Sequence, residues 1–190
     1  FAFLNYNQLR EKAKLMKYCS HCSGTIVKAI PDGDDRHRFV CIKCKKIHYQ
    51  NPQIIVGIVP TYDHRILLCK RAIAPRFGFW TLPAGFMENG ESTKDGAIRE
   101  CYEECLAKLK EVRLFAIFDI PRINQVYLFY RAQLTEPSYS ATAESSEVDL
   151  FDAHSIPWGE LAFPVMTIAL RRFLSDRSAR NFRVHQETID

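Results

Sequence analysis

Four of the seven cysteines in this 190-residue chain fall into two C-x-x-C pairs, Cys19/Cys22 in YCSHC and Cys41/Cys44 in CIKC, with eighteen residues between them. Each pair can present two thiolates to one ion, and the spacer can form a hairpin that returns the second pair to the first. The PDGDD stretch supplies the turn residues for that hairpin. Four thiolates around one ion make a closed tetrahedral site, which reads as structural zinc because no ligand position stays open. Two redox dithiols are the competing reading, and no βαβ context supports them. His21 and His48 lie nearby but are surplus to the set and are expected at the surface. Cys69, Cys101 and Cys105 sit in apolar or helical settings. The usage fits a reducing compartment with one metal site rather than a disulfide scaffold.

A chain of this length suits one ordinary domain plus a small module. With 47% hydrophobic and 25% charged residues it can bury a core of globular proportions. No apolar run approaches the roughly 18–20 residues that span a bilayer, so no membrane partner is expected. The start, FAFLNYNQLREKAKL, does not read as a secretory signal. Localisation is expected to be cytoplasmic, or in an organelle if a transit peptide has been removed. The net charge of +4 mildly favours anionic ligands. The arginines of LRRFLSDRSARNFRVH read as a solvated helical face, and nucleic acid is not the expected partner.

After Pro52 the pattern changes. QIIVGIVPTY and RILLCKR read as two strands around an Asp63-His64 turn. FWTLPAGF reads as one short strand ending at Gly85. From Ser92 or Thr93 to about Lys108 the spacing turns helical, with Thr93 as the cap and an apolar stripe of Ile98, Cys101 and Cys105. The stretches EVRLFAIFDI, NQVYLFYRAQL and VDLFD are further strands. A last helix opens at Pro164, a residue favoured in the first turn. Strands around two helices imply an α/β sandwich with a mixed sheet. On the first helix Glu100, Glu103 and Glu104 centre about 140° from the apolar stripe, at about 100° per residue. Like charges at this spacing repel, which suits carboxylates collected to hold Mg²⁺ or Mn²⁺.

The segment from Gly85 resembles the Nudix box: a glycine, five residues, a glutamate, seven residues, then R-E-U-x-E-E-x-G-U, with U aliphatic. Gly85, Glu91, Arg99, Glu100, Glu103 and Glu104 fall in register. Cys101 takes an aliphatic position, and Leu106 stands where the family has glycine, which places the helix end in question. The resemblance implies a Nudix α/β/α sandwich behind a zinc ribbon. Its expected parts are an N-terminal segment 1–16, a ribbon at 17–50 and the Nudix domain at 51–190. It also implies roles: Glu100, Glu103 and Glu104 as metal ligands, Arg99 and Glu91 as a bracing pair, and Gly85 as the point where the strand turns sharply into the loop. The general base is expected among the helix glutamates and Glu144 and Glu147 in AESSEVDLF; the resemblance implies an extra Mg²⁺ or Mn²⁺ ligand just before that strand, which makes Glu147 the stronger of the two. Arg71, with Lys70 beside it, is a candidate for holding phosphate. Phe79 and Trp80, with Phe77, are candidates for stacking on a ring, and core packing competes for at least one of them.

Nudix enzymes hydrolyse nucleoside diphosphates linked to another group. A ribbon directly upstream resembles the NADH pyrophosphatases, but their further motif, roughly SQPWPFPxS, is absent from FDIPRINQVYLFY. The similarity to FAD diphosphatase-like proteins runs from KYCSHC through LLCKRAIAPRFGFWTLPAGF to IPWGELAF. The expected activity is metal-dependent cleavage of FAD to FMN and AMP, with NADH or ADP-ribose as alternatives. A Nudix-fold regulator or RNA-binding protein is the non-enzymatic alternative, although a pure sensor has no need of all three glutamates. A small nucleotide substrate and a homodimer are the expected partners.

Overall fold

The computed structural model describes residues 16–190, in two compact units that meet in sequence between Asn51 and Pro52. The expected N-terminal segment 1–16 lies, except for Met16, outside the described residues.

The first unit is a three-stranded antiparallel sheet of β1 (Ile26–Ala29), β2 (Arg38–Cys41) and β3 (Ile47–His48). The PDGDD hairpin forms between β1 and β2. Asp34 organises it, accepting from the Asp35 and Arg36 amides at 2.8 and 3.1 Å and from Arg38 Nε at 2.8 Å. Among the described residues the apolar core is Cys19, Ile26 and Cys41, with Met16, Cys22 and Phe39 packed around them.

The second unit is built on β4 (Gln53–Tyr62), β5 (Arg65–Arg71), β6 (Trp80–Thr81), β7 (Ala84–Phe86), α1 (Thr93–Cys105), β8 (Leu109–Ile120), β9 (Gln125–Leu134), β10 (Ser145–Phe151), α2 (Pro164–Ala179) and β11 (His185–Thr188). The strand order is β10-β5-β4-β9-β8-β11, with β6 paired to β5 and β7 to β4. Pairings β4–β9 and β8–β11 are parallel and the others antiparallel, so the sheet is mixed. Six consecutive buried residues in β4 show why: a strand covered on both faces carries a continuous apolar run. Ile55 and Val59 face α2 through Val165, Met166, Ala169, Leu170 and Phe173, whereas Val56 and Ile58 face α1 through Ala97, Cys101 and Cys105. The sheet thus lies between two helices, as the α/β/α reading requires.

Several local expectations are corrected. FWTLPAGF is two short strands, β6 and β7, interrupted at Leu82-Pro83. The cap of α1 is Ser92, whose hydroxyl accepts from the Asp95 amide at 3.1 Å; Thr93 instead bonds Tyr130 across to β9, with 2.6 Å between oxygens. Helix α1 ends at Cys105, short of Lys108, and β8 begins earlier than expected, bulged around Glu111, whose φ is 55°. Strand β11 has no apolar alternation. Its buried anchor is His185, whose Nε2 lies 2.8 Å from Asp176 Oδ2 on α2. Among the described residues no helix is long and apolar enough to cross a membrane.

Leu106, in place of the box glycine, closes α1 in the left-handed conformation (φ 53°, ψ 19°), its amide donating to the Tyr102 carbonyl. The helix end is thus the one a glycine would make, held by a residue for which that conformation costs about 1 kcal/mol. Leu106→Gly is expected to raise stability by up to about 1 kcal/mol, less what glycine loses in backbone entropy. Urea denaturation midpoints read that gain directly.

Candidate active site

The four cysteines meet in the first unit. Their sulfurs lie within 4.8 Å of one another, with Cys22–Cys41 at 3.5 Å and Cys19–Cys44 at 3.7 Å. Zn–S bonds of about 2.3 Å at tetrahedral angles place sulfurs about 3.8 Å apart, so the donor set fits the ion. The turns are built for it. Cys19 and Cys41 each accept a local amide, from His21 at 3.4 Å and from Cys44 at 3.5 Å. The Cys44 amide, and then that of Lys43, pull the Cys41 thiol down to about 6. A Cβ on Gly24 would lie 3.0 Å from Cys41 Sγ and 2.8 Å from Lys43 Cβ, so only glycine leaves the thiols their room. One expectation changes: His48 is not a free surface residue, since its Nε2 lies 3.2 Å from Cys19 Sγ.

The second site lies along α1. Arg99 is its organising charge. Nε and Nη2 engage Glu91 at 3.0 and 2.9 Å, Nη2 also reaches the Phe86 carbonyl at 3.2 Å, and Nη1 bridges Glu100 at 2.8 Å and Glu103 at 2.7 Å. Beside this guanidinium, and with the Glu88 amide, the Glu91 carboxyl falls to about 2. Three of the crowded carboxylates therefore share one internal cation. Glu104 does not.

Glu104 is 5% exposed and Glu100 9%, whereas half of the Glu103 side chain is open. The buried face of α1 is Gly96, Ala97, Glu100, Cys101, Glu104 and Cys105, with Ile98 only half-buried. The apolar stripe is thus centred a residue earlier than expected and carries two glutamates with it. Burial pushes the Glu104 carboxyl up to about 7, opposed by the Cys69 thiol and the Ala84 amide and reinforced by Glu100. Burial also raises Glu100; Arg99 opposes that, while Glu103 and Glu144 add to it.

Gly85 is needed for a different reason than the one expected. Its φ is not positive; instead a Cβ there would collide with the Glu100 carboxylate, which fills the space of the missing side chain. Gly85→Ala is expected to displace Glu100 and, with Glu100 the metal ligand that the resemblance implies, to lower kcat/KM by about 10²-fold, the effect of a misplacement of about 1 Å. Steady-state kinetics beside thermal melting separates that loss from unfolding.

The other candidates lie on the strands around this helix. Lys70 and Glu147 are paired at 2.7 Å across β5 and β10, so Glu147 already has a cation. Glu144 is exposed, pairs with no cation among the described residues, and its charge acts on Glu100. Arg71 donates to the Pro75 carbonyl at 2.7 Å, lies over the Phe163 ring at 5.5 Å, and its charge is felt at Glu104. Residues 72–78 form a loop closed by Arg71 and Phe79, with Arg76 over the half-buried Phe79 ring at 5.2 Å. Trp80 is corrected: it is 8% exposed and packed edge-on against Phe151 at 4.8 Å, a core residue with no free face for stacking. Cys69, on the apolar strand β5, has its sulfur 3.4 Å from Glu104 Oε2.

Oxygen donors on one helix, two of them buried, suit a hard divalent cation. Among the described residues only the cysteines bring three or more donor atoms within 4.8 Å; the glutamates are drawn instead towards Arg99 and into the sheet.

A zinc-ribbon profile, Nudix N-terminal, matches residues 17–50, and the NUDIX domain profile matches residues 51–174. The chain belongs to the Nudix family, in the subgroup that carries this ribbon. A NUDIX hydrolase from Nitrosomonas europaea has 46% identity and a TM-score of 0.88, covering 92% of this chain and 99% of that one. An ADP-ribose pyrophosphatase from Methanocaldococcus jannaschii is 29% identical over 119 residues, 60% of this chain and 69% of that protein. The NAD-capped RNA hydrolase NudC from Photobacterium profundum is 34% identical over 113 residues, 57% of this chain and 39% of that protein. The chain spans 39% and 52% of the NudC proteins from Photobacterium profundum and Haemophilus influenzae.

Proposed function

We propose that the chain is a pyrophosphohydrolase acting on a nucleoside diphosphate-linked compound, and that FAD, cleaved to FMN and AMP, is its substrate. The observation that carries the reaction class is the glutamate set on α1: two carboxylates buried at a strand end where Gly85 leaves room for one, and a third at the edge. Of the two, Glu100 has Arg99, but Glu104 is buried with no cation in contact among the described residues; such a charge is costly to bury, and a divalent cation is the partner it fits. The chain's similarity to proteins named for ADP-ribose and NAD-capped RNA supports an ADP-linked substrate. The similarity to FAD diphosphatase-like proteins from KYCSHC to IPWGELAF supports the flavin.

In this reading Glu100, Glu103 and Glu104 hold Mg²⁺ or Mn²⁺, which when bound neutralises the diphosphate and lowers the pKa of water. Arg99 bridges Glu100 and Glu103 and holds them near one another before the cation arrives. Arg71, anchored by Pro75 and stacked on Phe163, contributes positive charge on the Glu104 side, suited to a phosphate oxygen. Glu144, exposed and without a cation of its own, is the proposed general base, whereas Lys70 holds Glu147 at 2.7 Å. The water oxygen bonds to one phosphorus, the bridging P–O bond breaks, and the bridging oxygen leaves with the other phosphate. Phe79 and Arg76 offer a stacked edge for a ring of the substrate. The ribbon at 17–50, with zinc on Cys19, Cys22, Cys41 and Cys44, the domain at 51–190, a homodimer and a reducing compartment belong to the same proposal.

The test is a substrate panel. FAD, NADH, ADP-ribose and a nucleoside triphosphate are incubated separately with the protein and Mg²⁺, and products are separated by chromatography. FMN and AMP in equal amounts, with kcat/KM for FAD above the others, is the expected result. A preference for ADP-ribose or NADH would move the assignment to that substrate and leave the reaction class standing.

A further inference from the structure

We propose that Cys69 is a positioning residue for Glu104: its thiol and the Ala84 amide hold one carboxylate oxygen, so that the other is presented as a metal ligand. This inference rests on the reading of Glu104 as a ligand. Cys69 is fully buried on β5, its sulfur 3.4 Å from Glu104 Oε2 and 3.6 Å from the Thr81 carbonyl. A thiol has one proton, and a carboxylate is a stronger acceptor than a neutral carbonyl, so the ionised Glu104 takes it. The Ala84 amide on β7 reaches the same Oε2 at 3.2 Å. Two donors from two strands therefore converge on one oxygen and fix the carboxylate's rotation. No buried side-chain oxygen among the described residues lacks a partner. Oε1, to which no hydrogen bond is assigned, thus keeps contact with solvent. The other polar neighbours of Cys69 are the Ser145 hydroxyl and the Cys105 thiol, which act on its sulfur; the groups that reach Glu104 Oε2 are Cys69 and the Ala84 amide.

Partners behind a ligand change metal affinity by about 10–100-fold when removed. Cys69→Ala deletes the donor, Cys69→Val deletes it while filling the space, and Cys69→Ser restores a donor. Each is measured by electron paramagnetic resonance of free Mn²⁺ in titrations of the protein without substrate, with thermal melting as the fold control. Mn²⁺ binding about 10-fold weaker in the alanine and valine variants, and near the wild-type value in the serine variant, is expected. A folded alanine or valine variant that binds Mn²⁺ as the wild type does, or a serine variant as weak as alanine, would overturn the proposal. Glu104→Gln runs in parallel. If it alone weakens binding, Cys69 is not a positioning residue; if it binds normally, the assignment of Glu104 as ligand fails first.

Discussion

Glu104→Gln is expected to remove activity and stabilise the metal-free protein at the same time. The loss follows from the proposed ligand role: a neutral amide cannot offset the charge of a divalent cation, and several kcal/mol of transition-state stabilisation disappear, on the order of 10³-fold in kcat/KM. The gain follows from burial. Glu104 is pushed from its ordinary value of 4.5 up to about 7 in the folded chain. A carboxyl whose folded pKa is raised contributes most below the unfolded value. That contribution is lost as pH rises from about 4.5 through about 7. At pH 8 without metal the wild type thus holds a buried carboxylate at a penalty of about 3 kcal/mol. Glutamine is isosteric and its carbonyl can still accept from Cys69 and Ala84. Chemical denaturation with a chelator present should show the variant more stable than wild type at pH 8 by about 2–3 kcal/mol, with the advantage vanishing near pH 4.5. An unchanged difference across that range would mean that Glu104 does not titrate as its burial dictates.

Removing the zinc proposed for the four-cysteine cluster is expected to be the second large effect. Among the described residues Cys19, Ile26 and Cys41 are the buried core of the first unit, too little apolar surface to order some 30 residues. A structural zinc contributes about 10 kcal/mol or more to folding in small modules of this kind. Cys41→Ser, or a strong chelator, is therefore expected to unfold residues 17–50, seen as loss of amide protection in hydrogen exchange. One zinc per chain should be released, counted with a chromogenic chelator. His48→Ala, which removes only the contact to Cys19, should leave the unit folded.

Much of this arrangement is legible in the chain itself. The two C-x-x-C pairs converge with sulfurs at tetrahedral spacing because a turn-rich spacer between short strands leaves few alternatives. The continuous apolar run of β4 marks a strand covered on both faces, and the glutamate spacing places the acidic edge on α1. What stays hidden depends on contacts between distant positions. Periodicity favours Ile98 as a core residue because it scores side chains by polarity. It misses Gly96 and Ala97, whose small size lets α1 approach β4 and draws Glu100 and Glu104 inward. The need for glycine at position 85 comes from a carboxylate fifteen residues further on, which no local turn signal encodes. Cys69 gives no sign in its own strand that its thiol meets Glu104, and Lys70 gives none that it occupies Glu147. Strand β11 is held by the His185–Asp176 pair rather than by an apolar pattern, so its sequence carries no strand signal.

The most direct test of the central claim, that the acidic edge of α1 carries out metal-dependent diphosphate hydrolysis, is one comparison. Wild type and Glu103→Gln are assayed for release of AMP from FAD and from ADP-ribose, with Mg²⁺, with Mn²⁺ and with chelator alone. Glu103 is exposed on its outer side, so the variant is expected to fold. AMP formed by wild type only when a divalent cation is present, and lost by about 10²-fold or more in the variant, is the predicted result. AMP formed equally by both proteins, or by neither with either metal, would contradict it.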